Sequence, residues 1–219
     1  MTPLATHPRF VSLEGGEGAG KTTVMEALRV ALQRDGFEVV CTREPGGTPL
    51  AEQIRGLLLA TRHEPLAAGT ELLLMFAARA QHVRETIQPA LERGAWVISD
   101  RFTDSSYAYQ GGGRGLDMAF IAELERRVVG LQPGLTLLLD LGVGAGRERT
   151  RGRDHAAGGN GPDRIEREHD DFFERVRATF LARAAADPQR IRVIDAARPA
   201  AVVAEDALAL LRGWQAVQR

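Results

Sequence analysis

The residues in this sequence with the clearest chemistry are Lys21 and Thr22. They close the run Gly15-Gly16-Glu17-Gly18-Ala19-Gly20-Lys21-Thr22. Its spacing, G-x-x-x-x-G-K-[ST], is that of a phosphate-binding loop, followed here by Thr23. Glycines let a backbone wrap an anion without side chains in the way. The loop amides and the start of the following helix then favour negative charge. Lys21 can reach β and γ phosphates, and the Thr22 hydroxyl can serve Mg²⁺. The motif needs a strand before it and a helix after it. Residues 9–14 read as the strand and residues 23–32 as an amphipathic helix, so a chance glycine-rich turn is the weaker reading.

A phosphate loop does not decide which chemistry follows; the other charged sites do. Asp100-Arg101 ends the apolar run 95–99, where open α/β sheets put their ligands. The carboxylate can hold Mg²⁺ directly or through water, and Arg101 can clamp a second phosphate; the plain alternative is a surface ion pair. Arg43-Glu44 follows another strand and precedes Pro45-Gly46-Gly47, a turn that can point the pair at the same crevice. A third group, Arg147, Arg149, Arg151 and Arg153, adjoins a glycine-rich segment. Basic residues on such a segment suit a lid that closes over phosphates, with a solvated helix face as the alternative. Anion sites flanking one nucleoside triphosphate imply a phosphoryl acceptor that is itself anionic. The histidines are scattered without zinc spacing. Phosphoryl transfer rests on positioning and charge neutralisation, so no histidine base is required.

Those side chains need a scaffold that brings strand ends together. Apolar runs at 37–41, 95–99, 135–141 and 191–195 follow the first strand, separated by helical patterns. The helical stretches are 49–60, 64–92, 105–110, 118–129, 143–151, 165–186 and 199–217, with Pro89 expected to redirect the second and Asp117 to cap the fourth. Residues 152–162 are glycine-rich and polar, hence expected to be mobile. The alternation predicts an α/β fold with a five-stranded parallel sheet and helices on both faces. We read residues 1–219 as a single domain with a short mobile lid at about 147–163. A chain of 219 residues with 44% hydrophobic and 26% charged residues is an ordinary globular composition. The net charge of -1 gives no reason to expect nucleic acid or a membrane surface as partner. No apolar stretch spans a membrane and residues 1–8 lack a signal core, so no export is expected. The single cysteine, Cys41, suits a reducing cytoplasm and reads as a buried small hydrophobe.

The loop at 15–23, Thr42-Arg43-Glu44-Pro45-Gly46-Gly47-Thr48, the segment from Asp100-Arg101-Phe102 to Ser105-Ser106-Tyr107-Ala108-Tyr109-Gln110, and Asp163-Arg164-Ile165-Glu166 together resemble thymidylate kinases over nearly the whole chain. The resemblance implies a P-loop kinase fold, transfer of phosphate from ATP to dTMP with Mg²⁺, and a homodimer. It implies that Glu17 faces the acceptor sugar, where a deoxyribose leaves room for the carboxylate. Arg43 and Arg101 would bind the acceptor phosphate, Ser106 and Gln110 would face thymine, Tyr109 would sit against the deoxyribose, and Arg79 would bond the base edge. An aromatic residue four positions before that arginine usually stacks on thymine; this chain has Met75 there and Phe76 one position later, and Phe76 is taken as the stacking residue. No arginine stands among the variable loop residues, so the lid is expected to supply it. Arg149 and Arg153 are the first candidates and Arg151 the weaker one, with the helix ending near Gly152. Kinases for dUMP, UMP or CMP share the fold but not the Ser-Ser-x-Ala-Tyr-Gln segment. A GTPase switch would carry Asn-Lys-x-Asp, which is absent.

Overall fold

The computed structural model describes residues 4–61, 63–157 and 163–218, with backbone only for 151–157. Five strands form one sheet: β1 (Ala5–Gly15), β2 (Val39–Arg43), β3 (Trp96–Asp100), β4 (Leu131–Asp140) and β5 (Ile191–Asp195). Their order is β2-β3-β1-β4-β5 and every pairing is parallel. Phe10, Val11 and Leu13 on β1 and Leu135, Leu137 and Leu139 on β4 are at most 1% exposed, because helices cover both faces of these central strands. β1 is longer than the predicted 9–14. Ala5–His7 pairs with Leu131–Pro133 across an irregularity between His7 and Val11.

One face is closed by α1 (Lys21–Arg34) and α9 (Ala200–Val217). Val24, Leu28 and Leu32, one helical turn apart, meet Val203, Ala207 and Leu211 over the sheet. The helices α2 (Pro49–Leu59), α3 (Ala68–His82), α4 (Gln88–Glu92), α5 (Thr103–Ser106), α6 (Met118–Leu124), α7 (Val143–Ala157) and α8 (Asp170–Ala186) complete the described chain. Across the sheet from α1, a second core gathers Leu72, Phe76 and Ile87 around Phe10, Val97 and Phe102. A third packs Phe172, Val176 and Phe180 of α8 on Tyr109 and Leu138.

The differences from the predicted elements have local causes. The expected helix 64–92 is α3, a widened π-helical turn at Val83–Ile87, and α4. The wide turn precedes Pro89, which has no N–H for the carbonyl four residues back. The expected helix from 165 starts instead at Asp170. Residues 163–166 form a turn in which the Asp163 carboxylate accepts from the Ile165 and Glu166 amides, and the Glu166 carboxylate accepts from the Asp163 amide. Helix α7 continues through Gly152 to Ala157 rather than ending there; of the stretch expected to be mobile, residues 158–162 lie outside the described ones. Cys41 is exposed, not buried, because β2 is an edge strand.

Candidate active site

Strand order places the functional residues. β1 is the point from which the sheet winds in opposite directions, to β3 on one side and β4 on the other, and the crevice above its carboxyl end is the ligand position of such sheets. The phosphate loop rises from β1 into that crevice. Gly18 has φ +70°, and a Cβ there would stand 2.5 Å from the Gly146 carbonyl oxygen, so only glycine lets the loop press on the first turn of α7. Lys21, the sole lysine of the chain, donates to the Gly16 carbonyl at 2.9 Å and the Gly15 carbonyl at 3.3 Å. Burial and the Arg101 charge pull its ammonium down to about 8, against Asp100, Glu14 and Glu17. An anionic phosphate is the ligand that would reverse that shift. Thr22 is exposed at the start of α1.

The end of β3 forms the opposite wall. Asp100 Oδ1 is buried with no hydrogen-bond partner among the described residues. Arg101 has φ +69°, a left-handed conformation uncommon for a side-chain-bearing residue. Its neighbours hold it there. The Arg101 amide donates to Leu13 O at 2.9 Å and its carbonyl accepts from Ser99 Oγ at 2.7 Å. Glu14, on the adjacent strand, accepts from the Phe102 amide at 2.8 Å and Ser105 Oγ at 2.6 Å. The strained corner turns the guanidinium inward. It donates to Ser105 Oγ at 3.2 Å and the Tyr109 hydroxyl at 3.1 Å, and lies 4.9 Å from the Tyr109 ring centre. Burial alone would lower its pKa; Tyr109, Asp100, Glu14 and Glu17 outweigh that and raise it.

Two carboxylates at this corner are pushed up to about 7. For Glu14 the causes are burial and then Asp104; for Glu17 they are burial and then Glu166, with Asp163 adding to it. Glu17 therefore sits near the turn that carries Asp163 and Glu166. A cavity of about 440 Å³ opens here between the loop, the end of β4, α7 and α8, with Glu17, Arg147 and Glu166 on its wall. Sequence reasoning missed Glu14, although a charged residue inside an otherwise apolar strand, next to the loop, was a usable signal. It also missed Arg55, which donates to the Pro45 carbonyl at 2.9 Å. Burial and then Arg43 lower the Arg55 pKa, and Arg101 contributes, so the three arginines share one electrostatic neighbourhood. Arg43 itself is exposed and paired with Glu52 at 3.1 Å.

Helix α3 and the segment from α5 through the π-helical turn Tyr107–Gly113 meet behind this corner. Arg79 is 1% exposed. It donates to Glu44 at 2.5 Å, Ser106 Oγ at 2.9 Å and Phe102 O at 3.1 Å, which engages all three of its nitrogens. Glu44 is buried too and meets His82 Nδ1 at 2.9 Å, while His82 Nε2 meets Thr42 Oγ1 at 2.6 Å. The Phe76 ring belongs to the core, with the Arg79 guanidinium 4.9 Å from its centre. Met75 is buried as well but belongs to none of the three core clusters. Gln110 donates from Nε2 to Glu71 at 2.9 Å. The helical segment is anchored from below by Asp104, 1% exposed, which pairs with Arg183 at 2.6 Å and Arg190 at 2.7 Å.

From α7, Arg149 reaches back to the phosphate loop. It donates to Ala196 O at 2.9 Å, Gly18 O at 3.4 Å and Ala197 O at 3.4 Å, so it ties the loop to the connection after β5. Arg147 pairs with Asp170 at 2.8 Å and lies over Phe173. The side chains of Arg151 and Arg153 lie outside the described residues; their backbone is in α7, which puts positions 149 and 153 one turn apart.

The family model for thymidylate kinase matches residues 13–207. Among curated relatives, the thymidylate kinase of Alkalilimnicola ehrlichii is 54% identical over 93% of this chain and 94% of its own length. That of Pseudomonas fluorescens strain SBW25 is 56% identical over 92% and 94%. The crystal structure of thymidylate kinase from Ehrlichia chaffeensis superposes with a TM-score of 0.74 at 32% identity, covering 95% of this chain and 99% of that one.

Proposed function

Because the chain belongs to the thymidylate kinase family, and so transfers phosphate from ATP to dTMP to give dTDP and ADP, we propose how its residues divide that reaction. The observation that carries the assignment is the half-buried Arg101 guanidinium, held by Tyr109 and Ser105 and electrostatically coupled to Lys21. It supports a site where two anions approach each other, one on the phosphate loop and one on the Arg101 side.

In this reading, amides of the loop from Gly15 to Thr23 (Gly15, Gly16, Glu17, Gly18, Ala19, Gly20, Lys21, Thr22 and Thr23) bind the phosphates of ATP. Lys21 leaves its loop carbonyls for the β and γ oxygens. Arg149, already on Gly18, supplies the lid charge, with Arg153 one turn further along the helix. Arg101, Arg43 and Arg55 hold the phosphate of dTMP. Tyr109 packs on the deoxyribose, and Glu17 closes the space a 2′-hydroxyl would need. Arg79, Ser106 and Gln110 line the base. The Phe76 ring is packed in the core, so the face of the base packs on the Met75 thioether instead of stacking on Phe76.

Mg²⁺ fits the residues present: Asp100 offers a buried oxygen without a hydrogen-bond partner among the described residues, and Thr22 is exposed at the helix start. Among the described residues no group of three His, Cys, Asp or Glu side chains could hold a metal, so phosphates and water would complete the shell. Held there, Mg²⁺ would supply neutralisation of the phosphate charge.

The wider reading is a single kinase domain in the cytoplasm, working on small molecules as a homodimer. Among the described residues no helix is long and apolar enough to cross a membrane. Leu73 on α3 and Met118 and Phe120 on α6 are exposed apolar side chains of the kind a dimer covers. The test of the site is kcat/KM for dTMP and for ribothymidine monophosphate, in the parent and in Glu17→Ala. The expected result is a strong preference for dTMP that the substitution narrows. Equal efficiencies in the parent remove Glu17 from this role.

A further inference from the structure

Glu71 takes no part in the phosphate chemistry, yet it is a carboxylate 1% exposed at the back of the acceptor side. Four nitrogens crowd it. Gln110 Nε2 donates to Oε1 at 2.9 Å, and Arg114 Nε approaches the same oxygen at 3.4 Å. Arg164 Nη2 donates to Oε2 at 2.7 Å, with Arg114 Nη2 at 3.3 Å. Arg164 also donates to Leu58 O at 2.9 Å, so the cluster ties α3, the 163–166 turn and the end of α2 to the Gln110 amide. Burial would raise the Glu71 pKa; Gln110, Arg114 and Arg164 overcome that and lower it, so the group is ionised at neutral pH.

An ionised carboxylate has only lone pairs to offer. It can therefore face just one end of a carboxamide, the NH₂. That fixes Gln110 in one of its two flips and leaves its carbonyl oxygen on the other side. That oxygen is buried with no hydrogen-bond partner among the described residues. Gln110 lies one turn beyond Ser106, the residue bonded to Arg79, so the orphaned oxygen sits with the group assigned to the base.

We propose that Glu71 is a positioning residue for base specificity: by holding the Gln110 nitrogen, it presents the Gln110 oxygen to the acceptor base as an obligatory hydrogen-bond acceptor. The inference rests on the reading that Gln110 faces the base. A thymine ring meets that oxygen with its N3–H donor. A cytosine ring meets it with the N3 lone pair, leaving two buried acceptors opposed, which is the arrangement that sites use to reject an analogue strongly.

The experiment compares kcat/KM for dTMP and 5-methyl-dCMP, which keep the same methyl group and differ at ring position N3 and the adjoining 4-substituent. It uses the parent, Glu71→Gln, Gln110→Ala and the double variant. A glutamine at position 71 no longer dictates the flip, so the dTMP to 5-methyl-dCMP ratio should fall by at least about tenfold. Gln110→Ala should collapse the ratio as well, and adding Glu71→Gln to it should change the ratio no further. A merely structural role would lower both efficiencies together and leave the ratio alone. If Gln110→Ala lowers the ratio but Glu71→Gln leaves it within about twofold, a difference under half a kilocalorie per mole, the positioning role is wrong and the placement of Gln110 stands. If neither substitution moves it, Gln110 does not read the base and both ideas fail. Should Glu71→Gln not fold, a neutron structure of the unaltered enzyme with dTMP decides. The expected map shows the deuterated Gln110 amide on Glu71 and its oxygen on N3; the reversed amide overturns the proposal.

Discussion

Arg101 combines a functional side chain with an unfavourable backbone, and the two can be separated by substitution. Its φ of +69° costs an L-residue roughly 1–2 kcal/mol and costs glycine nothing. Arg101→Ala and Arg101→Gly both remove the guanidinium, so both lose the contacts to Ser105 and Tyr109. Comparing them with each other cancels that loss and leaves the backbone term. Glycine also gives back about 0.4–1 kcal/mol through the greater freedom of the unfolded chain. The net advantage of Arg101→Gly over Arg101→Ala is therefore about 1 kcal/mol. For a chain of this length it corresponds to a melting temperature about 2–4 °C higher. At an ordinary site the order is reversed. Turnover should fall about a hundredfold or more in both, since each lacks the same charge stabiliser. Calorimetry and a coupled ADP-release assay on the two proteins give both quantities. If the alanine variant melts at or above the glycine variant, the corner stores no strain. If turnover differs strongly between them, the backbone itself takes part and the separation fails.

Three further outcomes follow from the site. With one lysine in the chain, an isotope-labelled lysine ammonium gives a single side-chain signal; it should titrate near 8 and move upward when ATP is added, whereas a midpoint near 10.5 would show Lys21 is not desolvated. Arg149→Ala should lower kcat by about tenfold to a hundredfold with a smaller effect on ATP affinity, as expected of a charge used in the transition state; turnover within about threefold of the parent, in a barrier change under 1 kcal/mol, removes it from that role. Glu14 binds its proton more tightly in the fold, with a pKa of about 7 against 4.5. Its protonated form contributes stability fully below pH 4.5, and that contribution is lost as pH rises through 7. At 1.36 kcal/mol per pH unit the loss is about 3 kcal/mol. Glu14→Gln should flatten denaturant stability measured from pH 4.5 to 8; an unchanged slope would contradict the burial argument.

The loop, the five strands and their order along the chain were legible because each rests on local pattern: glycine spacing, short apolar runs and helical periodicity. Lys21, which opens α1 after the loop, and Arg101, just past the end of β3, could be singled out as candidates for the same reason. What stayed hidden depends on partners distant in the sequence. Phe76 and Met75 differ by one helical position, and only the packing of Phe10, Phe102 and Arg79 shows that the Phe76 ring is part of the core. Arg55 gains meaning only from its nearness to Arg43 and Arg101. Glu14 and Glu71 look like misplaced charges until their donors, up to about ninety residues away, are known. The helix end expected at Gly152 failed because one glycine weakens a helix by only about 1 kcal/mol and need not stop it.

The central claim is that one site joins ATP to a thymine deoxynucleotide. The direct measurement is acceptor-dependent ADP release with ATP and Mg²⁺, across dTMP, dUMP, dCMP, UMP and ribothymidine monophosphate at matched concentrations. The account predicts the highest kcat/KM with dTMP, weaker turnover with dUMP, and the poorest with the cytosine and ribose acceptors. Equal or faster turnover with another monophosphate, or ADP release that needs no acceptor, would contradict it.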